Sequence, residues 1–140
     1  MNVPPIDQAR ILFVEDNPDD ALLAKTAVRR TGRPVAMEFI DNGRDALLAL
    51  TSGRPFPDIT FLDINLPLVH GLDVLRAVRE LPVDPLPVMI VMTTSTVQAD
   101  RDRAHELGCT EFHVKPMGFP DFIVLMEGIL DRWQIGRAHV

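Results

Sequence analysis

Acidic, hydroxyl and basic side chains follow the short apolar runs of this sequence. Glu15 and Asp16 come directly after the run ARILFV, and Asp63 comes directly after ITFL. Hydroxyl groups and one ammonium group follow the runs PVMIVM and EFHV, at Thr93, Thr94, Ser95 and Lys115. Functional groups of open α/β sheets collect beyond the carboxyl ends of the strands. If each run is a parallel strand, we expect these side chains to lie in one crevice.

The three carboxylates of this predicted crevice need a positive partner. Like charges within ~4–6 Å raise one another's pKa, so Glu15, Asp16 and Asp63 would not all stay ionised without a cation. Mg²⁺ prefers oxygen ligands and combines carboxylates with waters and phosphate oxygens. A soft metal would need Cys or His, which these strand ends lack. The sequence therefore predicts a Mg²⁺ site.

A carboxylate beside Mg²⁺ is a nucleophile for phosphorus when cations offset the charge of the transferring group. Asp63 would then become an aspartyl phosphate. Thr93 would donate a hydrogen bond to one phosphoryl oxygen, and Lys115 would pair with another as a point charge.

Each of these residues, taken alone, has a simpler interpretation. An Asp after a strand is usually a helix N-cap, a Thr often fills a strand, and acids or a Lys at a loop are usually solvated. The histidines have no ligand spacing and are interpreted as surface or packing residues: His70, His105, His113 and His139. The coincidence of acids, a hydroxyl and an ammonium group at four strand ends favours a functional site.

The apolar runs alternate with amphipathic stretches five times. Predicted strands cover residues 9–14, 35–40, 58–63, 87–93 and 111–114, and predicted helices begin near residues 17, 42, 71, 97 and 120. Strands joined by helical crossovers form a parallel sheet with helices on both faces. The expected fold is a doubly wound α/β sheet of five parallel strands.

The composition indicates one domain without a nucleic-acid or membrane surface. Of the 140 residues, 46% are hydrophobic, and we expect a single domain over 1–140 with a core at about 9–134 and short loose termini. The net charge of −6, with Lys and Arg scattered, disfavours direct nucleic-acid binding. We expect a cytoplasmic location and no membrane partner, because the sequence has one cysteine, no leader pattern and no apolar run of membrane length.

Four pieces of the sequence resemble the receiver domain of two-component response regulators. They are the pair Glu15 and Asp16, LDINLPLVHG, VMTTS and HVKP. The resemblance implies a flavodoxin-like receiver fold with strand order 2-1-3-4-5, dependence on Mg²⁺, and phosphoryl transfer from a sensor histidine kinase. It also implies a phosphoacceptor that catalyses its own phosphorylation and dephosphorylation, not an enzyme that acts on other substrates.

The resemblance assigns the phosphoryl and metal residues by position. Asp63 resembles the phosphoacceptor, and Asp16 resembles a direct Mg²⁺ ligand. Glu15, where an aspartate is commoner, resembles an acidic partner that acts through water. Asn65 resembles a ligand through its backbone carbonyl. Asn65 and Ser95 also lie where members of the family tune phosphoryl hydrolysis.

The resemblance also implies a conformational switch. Thr93 and Lys115 resemble the switch hydroxyl and the lysine of the family, and Pro116 resembles its cis proline. Phe112 occupies the place of the switch aromatic and lacks the hydroxyl of a tyrosine. The helix predicted at 97–107 has a thin apolar face, so we expect it to belong to the switch surface.

The last predicted helix, PDFIVLMEGILDRW, has more apolar surface than one sheet face covers. Phe122 and Trp133 mark the face expected to pack on the sheet, and Ile123 is expected to continue the apolar surface outward. We therefore expect a homodimer through this helix and its neighbouring edge, with Trp133 sealing the core as the alternative. The TTS stretch and this helix are similar to stand-alone regulators that partner phytochrome-type histidine kinases, which signal by conformational switching and protein binding.

Three alternatives share parts of this pattern. A haloacid-dehalogenase-type phosphohydrolase also uses an aspartate after a strand, but it has a second carboxylate where this chain has Asn65. A flavodoxin-like electron carrier shares the expected topology, but the loops lack a Ser/Thr-rich phosphate cradle. A degenerate receiver would act only as a binding module, which the retained acids, Thr93 and Lys115 disfavour.

Overall fold

The computed structural model describes residues 8–136, which form a parallel sheet between two layers of helices. The strands are β1 (Ala9–Val14), β2 (Val35–Ile40), β3 (Ile59–Leu62), β4 (Met89–Thr93) and β5 (Glu111–Val114). The helices are α1 (Pro18–Arg30), α2 (Gly43–Thr51), α3 (Gly71–Arg79), α4 (Gln98–Glu106) and α5 (Phe119–Arg132). The strand order is β2-β1-β3-β4-β5, with every pairing parallel, which confirms the predicted fold class and order.

The start of α1 follows from its capping residues. The Asn17 side chain accepts hydrogen bonds from the backbone N–H groups of Asp19 and Asp20, at 2.9 and 3.2 Å. Pro18 occupies the first turn, where its missing N–H costs nothing. The longest helix, α5, has 14 residues, and across residues 8–136 no helix is long and apolar enough to span a bilayer.

Two apolar clusters hold the sheet rigid from both faces. One contains Ile11, Phe13 and Ile90 with residues of α1 and α5, and the other contains Leu12 and Val91 with residues of α2, α3 and α4. The side chains of β3 and β4 are buried on both faces, as expected for central parallel strands. The residues that follow these strands are therefore held in fixed positions.

Gly71 allows a close approach of two backbone segments at the end of β3. A Cβ atom at this position would lie 2.1 Å from the carbonyl oxygen of Asp63 and 2.7 Å from the Cα atom of Ile64. The Gly71 N–H donates a hydrogen bond to the Ile64 carbonyl at 2.7 Å. The first turn of α3 is thereby packed directly against the backbone that carries Asp63.

The expected outward position of Ile123 on α5 is wrong. Ile123 is partly buried and packs against the core, because α5 packs against α1 as well as against the sheet and so buries a wider face. The apolar residue of α5 that lies in solvent is Val124, which is 70% exposed.

The expected dimer contact of Trp133 stays a prediction, and the alternative in which Trp133 seals the core does not fit its position. It is 38% exposed, and its indole N–H donates a 2.6 Å hydrogen bond to Glu111 on β5. Burial, the largest influence, raises the pKa of Glu111, but hydrogen bonds from Arg132, His113 and Trp133 outweigh it and lower the pKa to about 2. The hydrogen bonds that Glu111 accepts from Arg132 and Trp133 therefore join α5 to β5 at neutral pH. They are lost only as the pH falls through that pKa.

Candidate functional site

Backbone hydrogen bonds that continue past the strand ends place the predicted site residues at one edge of the sheet. The Glu15 N–H donates to the Ile40 carbonyl at 2.9 Å, and the Asp63 N–H donates to the Val14 carbonyl at 3.1 Å. At the other side of the site, the Lys115 N–H donates to the carbonyl of Thr93 at 2.7 Å. The sheet itself thus brings the acids and the lysine together.

Three carboxylates meet at this edge. Glu15, Asp16 and Asp63 each offer an oxygen, and these atoms all lie within 4.8 Å of one another. The side chains of Glu15 and Asp63 are each only 9% exposed, whereas Asp16 lies in solvent. Hard oxygen donors with one open side fit Mg²⁺, which keeps part of its water shell. The residues present therefore suit the predicted metal.

Lys115 lies among carboxylates on the inner side of this cluster. Its ammonium group pairs with Glu15, with Asp20 at 3.1 Å and with Asp63 at 3.3 Å. Burial, the largest influence, lowers the pKa of Lys115, but the hydrogen bond with Glu15 and the charge of Asp63 outweigh it and raise this pKa above its usual value. Lys115 is therefore a permanent cation beside Asp63.

Asp20 is a site residue that sequence reasoning missed. The sequence predicts a helix start at this position, and the Asp20 backbone N–H does donate to the Asn17 cap. Its carboxylate, however, turns towards the site and lies 3.1 Å from the Lys115 ammonium group. Its spacing of four residues from Asp16 is the sequence signal that could have identified it.

Burial dominates the electrostatics of Glu15. It raises the pKa of Glu15, although hydrogen bonds from Lys115 and from the Asn17 N–H lower it. The Asn17 bond, to Glu15 Oε2, is 3.1 Å long. A second cation at the cluster would favour the ionised form of this carboxylate.

Both oxygens of Asp63 are held in place. Its Oδ1 accepts a hydrogen bond from the Asn65 N–H at 3.3 Å, and its Oδ2 faces the Lys115 ammonium group. Asn65 is exposed at the mouth of the site. Metal ligation by the Asn65 carbonyl and its effect on hydrolysis stay predictions.

Thr93 and Phe112 lie deeper, towards α4. Thr93 is fully buried, and its hydroxyl oxygen accepts a hydrogen bond from the Ser95 N–H at 3.2 Å. Phe112 pairs with Val91 in the sheet and is covered by Arg101 of α4, whose guanidinium carbon lies 5.7 Å from the ring centroid. The structure thus places Phe112 beneath α4 and away from the acids, and both switch roles stay predictions.

The expected cis bond before Pro116 is wrong for this structure. Among residues 8–136 the cis peptide bond is the one between Asp84 and Pro85. A trans bond is the default before proline by ~0.5–1 kcal/mol, and here the Lys115 N–H continues the ladder to Thr93. Position in the sequence does not by itself determine the isomer.

An apolar cavity of about 220 Å³ adjoins the acidic cluster. It lies between α1 and α5, with Asp63 and Lys115 at one end and Leu23, Met117 and Phe119 among the apolar residues that line it. The site therefore opens towards an apolar surface.

Removing the exposed acid of the cluster tests the metal assignment. We expect Asp16→Ala to weaken Mg²⁺ binding at least about tenfold, because it removes one donor of the cluster. The midpoint of thermal unfolding should stay unchanged, since Asp16 is exposed. Calorimetric titration with Mg²⁺ measures the change. Asp19→Ala, which removes an exposed acid from the nearby first turn of α1, is the matched control, and equal affinities of the two variants would contradict the assignment.

Comparison with known proteins assigns a family to this arrangement. The family model described as response regulator receiver domain matches residues 11–127. The probable methanogenesis regulatory protein FilR2 of Methanothrix harundinacea is 35% identical over 128 residues, which cover 88% of this chain and 82% of FilR2.

Solved structures with the same fold include regulators named for phytochromes. The phosphorylated cyanobacterial phytochrome response regulator RcpA has a TM-score of 0.83 at 24% identity, over 91% of this chain and 94% of its own. The bacteriophytochrome response regulator AtBRR has a TM-score of 0.71 at 29% identity, and the match covers 96% of this chain and 98% of AtBRR. Other curated relatives are longer, and the chain spans 52% of three mycobacterial transcriptional regulatory proteins.

Proposed function

Because the chain belongs to the response regulator receiver domain family, we propose that Asp63 accepts a phosphoryl group from a sensor histidine kinase in a Mg²⁺-dependent reaction. Receiver domains are phosphoacceptors that also lose the phosphoryl group by their own activity. The position of Asp63 supports the proposal most directly. Its carboxylate is nearly buried, is fixed through both oxygens, and lies within reach of two further acids and one lysine.

In the proposed reaction, an oxygen of Asp63 forms a bond to phosphorus as the bond from phosphorus to the kinase histidine nitrogen breaks. Lys115 lies 3.3 Å from Asp63 and offsets negative charge on the phosphoryl oxygens. Its three N–H donors permit it to keep one carboxylate partner while it binds the phosphoryl group. The Thr93 hydroxyl donates to a second phosphoryl oxygen. Glu15, Asp16 and Asp63 would hold Mg²⁺, which would supply further positive charge against the transferring group.

The kinase is proposed to approach from the side of the apolar cavity. A histidine can reach Asp63 only where the site opens, and this opening is flanked by Leu23, which is 42% exposed, and Met117, which lies fully in solvent. Exposed apolar residues beside a polar site are typical of a protein-binding surface. The kinase domain is proposed to be cytoplasmic, as is this chain.

A phytochrome-type kinase is the proposed upstream partner. The likeness to AtBRR, which this chain covers over 98% of its length, supports both this partner and action as a single receiver domain. Such a regulator signals by changing shape and binding another protein.

Labelling with acetyl phosphate tests the proposed function without knowledge of the kinase. We expect intact-protein mass spectrometry to show one phosphoryl group per chain in Mg²⁺ and none in excess chelator. An unlabelled chain would favour the degenerate receiver. Repeated release of phosphate from alkyl phosphates, without a phosphorylated chain, would favour the phosphohydrolase.

A homodimer through the C-terminal helix and the neighbouring strand is proposed as well. Within residues 8–136, β5 is an edge strand of the sheet, and such an edge offers N–H and C=O groups to a second copy. Beside it lie two partly exposed apolar residues, Val114 at 40% and Trp133 at 38%.

We expect Trp133→Ala to weaken this dimer in sedimentation at micromolar concentration, because the substitution removes the largest apolar side chain at this edge. Leu48→Ala is the matched control, since Leu48 is 62% exposed on α2, far from β5 in the strand order. A monomer in every case, or an equally tight dimer after Trp133→Ala, would exclude this interface.

A further inference from the structure

One pair of side chains connects the loop after β4 to helix α4. The Ser95 hydroxyl donates a hydrogen bond to Asp100 Oδ2 at 2.7 Å, and the bond is partly buried. The backbone N–H of the same serine donates to the hydroxyl oxygen of Thr93 at 3.2 Å. Ser95 therefore contacts the proposed switch hydroxyl through its backbone and α4 through its side chain.

Helix α4 has few other attachments. Its one buried residue is Ala104, and its N-cap, Val97, supplies no side-chain hydrogen bond and is 58% exposed. Its other contacts include α3 and, in the sheet, Phe112, whose ring centroid lies 6.1 Å from that of His105. A helix with so little buried apolar surface opens at low cost. The contact between Ser95 and Asp100 is thus a major restraint on its first turn.

The Thr93 side chain is oriented by the same loop. A hydroxyl oxygen that accepts from the Ser95 N–H is held in one rotamer, and turning it towards Asp63 breaks this bond. If the Ser95 N–H leaves Thr93, the loop moves, and the hydroxyl of Ser95 moves with it. Such a movement reaches α4 through Asp100 and through the backbone N–H of Val97, which donates to the Ser95 hydroxyl oxygen at 3.3 Å.

We propose that Asp100 is a positioning residue that acts through Ser95 to hold both Thr93 and the first turn of α4 in the unphosphorylated arrangement. Phosphorylation of Asp63 draws the Thr93 hydroxyl away from Ser95 and so releases α4. This step rests on the proposed phosphorylation of Asp63. The restraint itself is a property of the unphosphorylated chain and is measured separately.

Asp100 also lies in the first turn of α4, where any acid stabilises the helix through its dipole. Asp102 separates the two effects, because it lies in the same helix and accepts an exposed hydrogen bond from Gln98 at 2.8 Å, with no contact to the loop. Asp100→Asn provides a second control, since its carbonyl oxygen still accepts from Ser95.

Hydrogen exchange of the α4 amides, with and without acetyl phosphate and Mg²⁺, tests the proposal on the full chain. Without the phosphodonor, we expect Asp100→Ala and Ser95→Ala each to raise exchange about tenfold, which corresponds to ~1.4 kcal/mol for one charge-assisted hydrogen bond. Exchange in the variant that carries both substitutions should be only slightly faster than in either single variant. Asp102→Ala should show a smaller change, and Asp100→Asn should restore most of the protection.

The phosphoryl-dependent part of the exchange gives the second result. In the wild-type chain, phosphorylation should raise exchange in α4, and in Asp100→Ala this increase should be largely absent while labelling of Asp63 persists. Equal exchange in Asp100→Ala and Asp102→Ala, or an unchanged phosphoryl-dependent increase in Asp100→Ala, would overturn the proposal. A wild-type chain that takes no label would refute the proposed function instead, and the comparison without phosphodonor would still decide whether Asp100 restrains α4.

Discussion

Asp63→Asn is expected to reduce labelling by acetyl phosphate at least about 10³-fold, because a neutral amide cannot replace the carboxylate nucleophile. The substitution nearly conserves volume, and the Asn65 N–H keeps an oxygen acceptor at this position. The chain should therefore fold normally and still fail to take the label. Intact-protein mass spectrometry over a time course measures the labelling rates of the wild-type chain and of Asp63→Asn.

Asp20→Asn is the matched control for this experiment. Asp20 also contacts Lys115, at 3.1 Å, but it does not belong to the three-carboxylate cluster. We expect this variant to retain labelling, with an altered rate at most. A wild-type rate in Asp63→Asn, or equal losses in the two variants, would contradict the assignment of the nucleophile.

Gly71→Ala is expected to cause a large loss of stability, about 3 kcal/mol or more in the free energy of unfolding. The added Cβ would lie 2.1 Å from the carbonyl oxygen of Asp63, and backbone at the end of a buried strand cannot move aside cheaply. Labelling should fall as well, because any shift displaces the Asp63 backbone. Urea unfolding measures the change.

Gly118→Ala separates this clash from the general effect of replacing a glycine at the start of a helix. Gly118 is the N-cap of α5, and the nearest atoms to a Cβ there lie at 3.9 Å, an ordinary contact. We expect a loss of at most about 1 kcal/mol. If both variants lose the same amount of stability, the close approach at Gly71 has no energetic importance.

The sequence predicted the fold and the main cluster because both depend on the direction of the strands. Continuous apolar runs such as β3 and β4 indicate buried parallel strands, whose carboxyl ends share one edge of the sheet. Glu15, Asp63 and Lys115 each follow a strand directly. Their proximity could therefore be predicted without knowledge of side-chain packing.

The remaining features depend on distances between side chains that a pattern does not contain. Asp20 lies on a helix, and only the packing of α1 beside the site brings its carboxylate to Lys115. Ile123 is partly buried because α5 packs against α1, a contact between helices that are distant in the sequence. The close approach at Gly71 likewise arises from tertiary packing. The isomer of the bond before Pro116 depends on a small energy difference between cis and trans, which the sequence does not resolve.

Reductive trapping of the acyl phosphate tests the central claim most directly. Borohydride converts an aspartyl phosphate to homoserine, and peptide mass spectrometry then identifies the modified residue. After incubation with acetyl phosphate and Mg²⁺, we predict homoserine at position 63 and its absence when a chelator replaces the metal. Homoserine at another acid of the cluster, or an unmodified peptide around Asp63 from a chain that carries the label, would contradict the account.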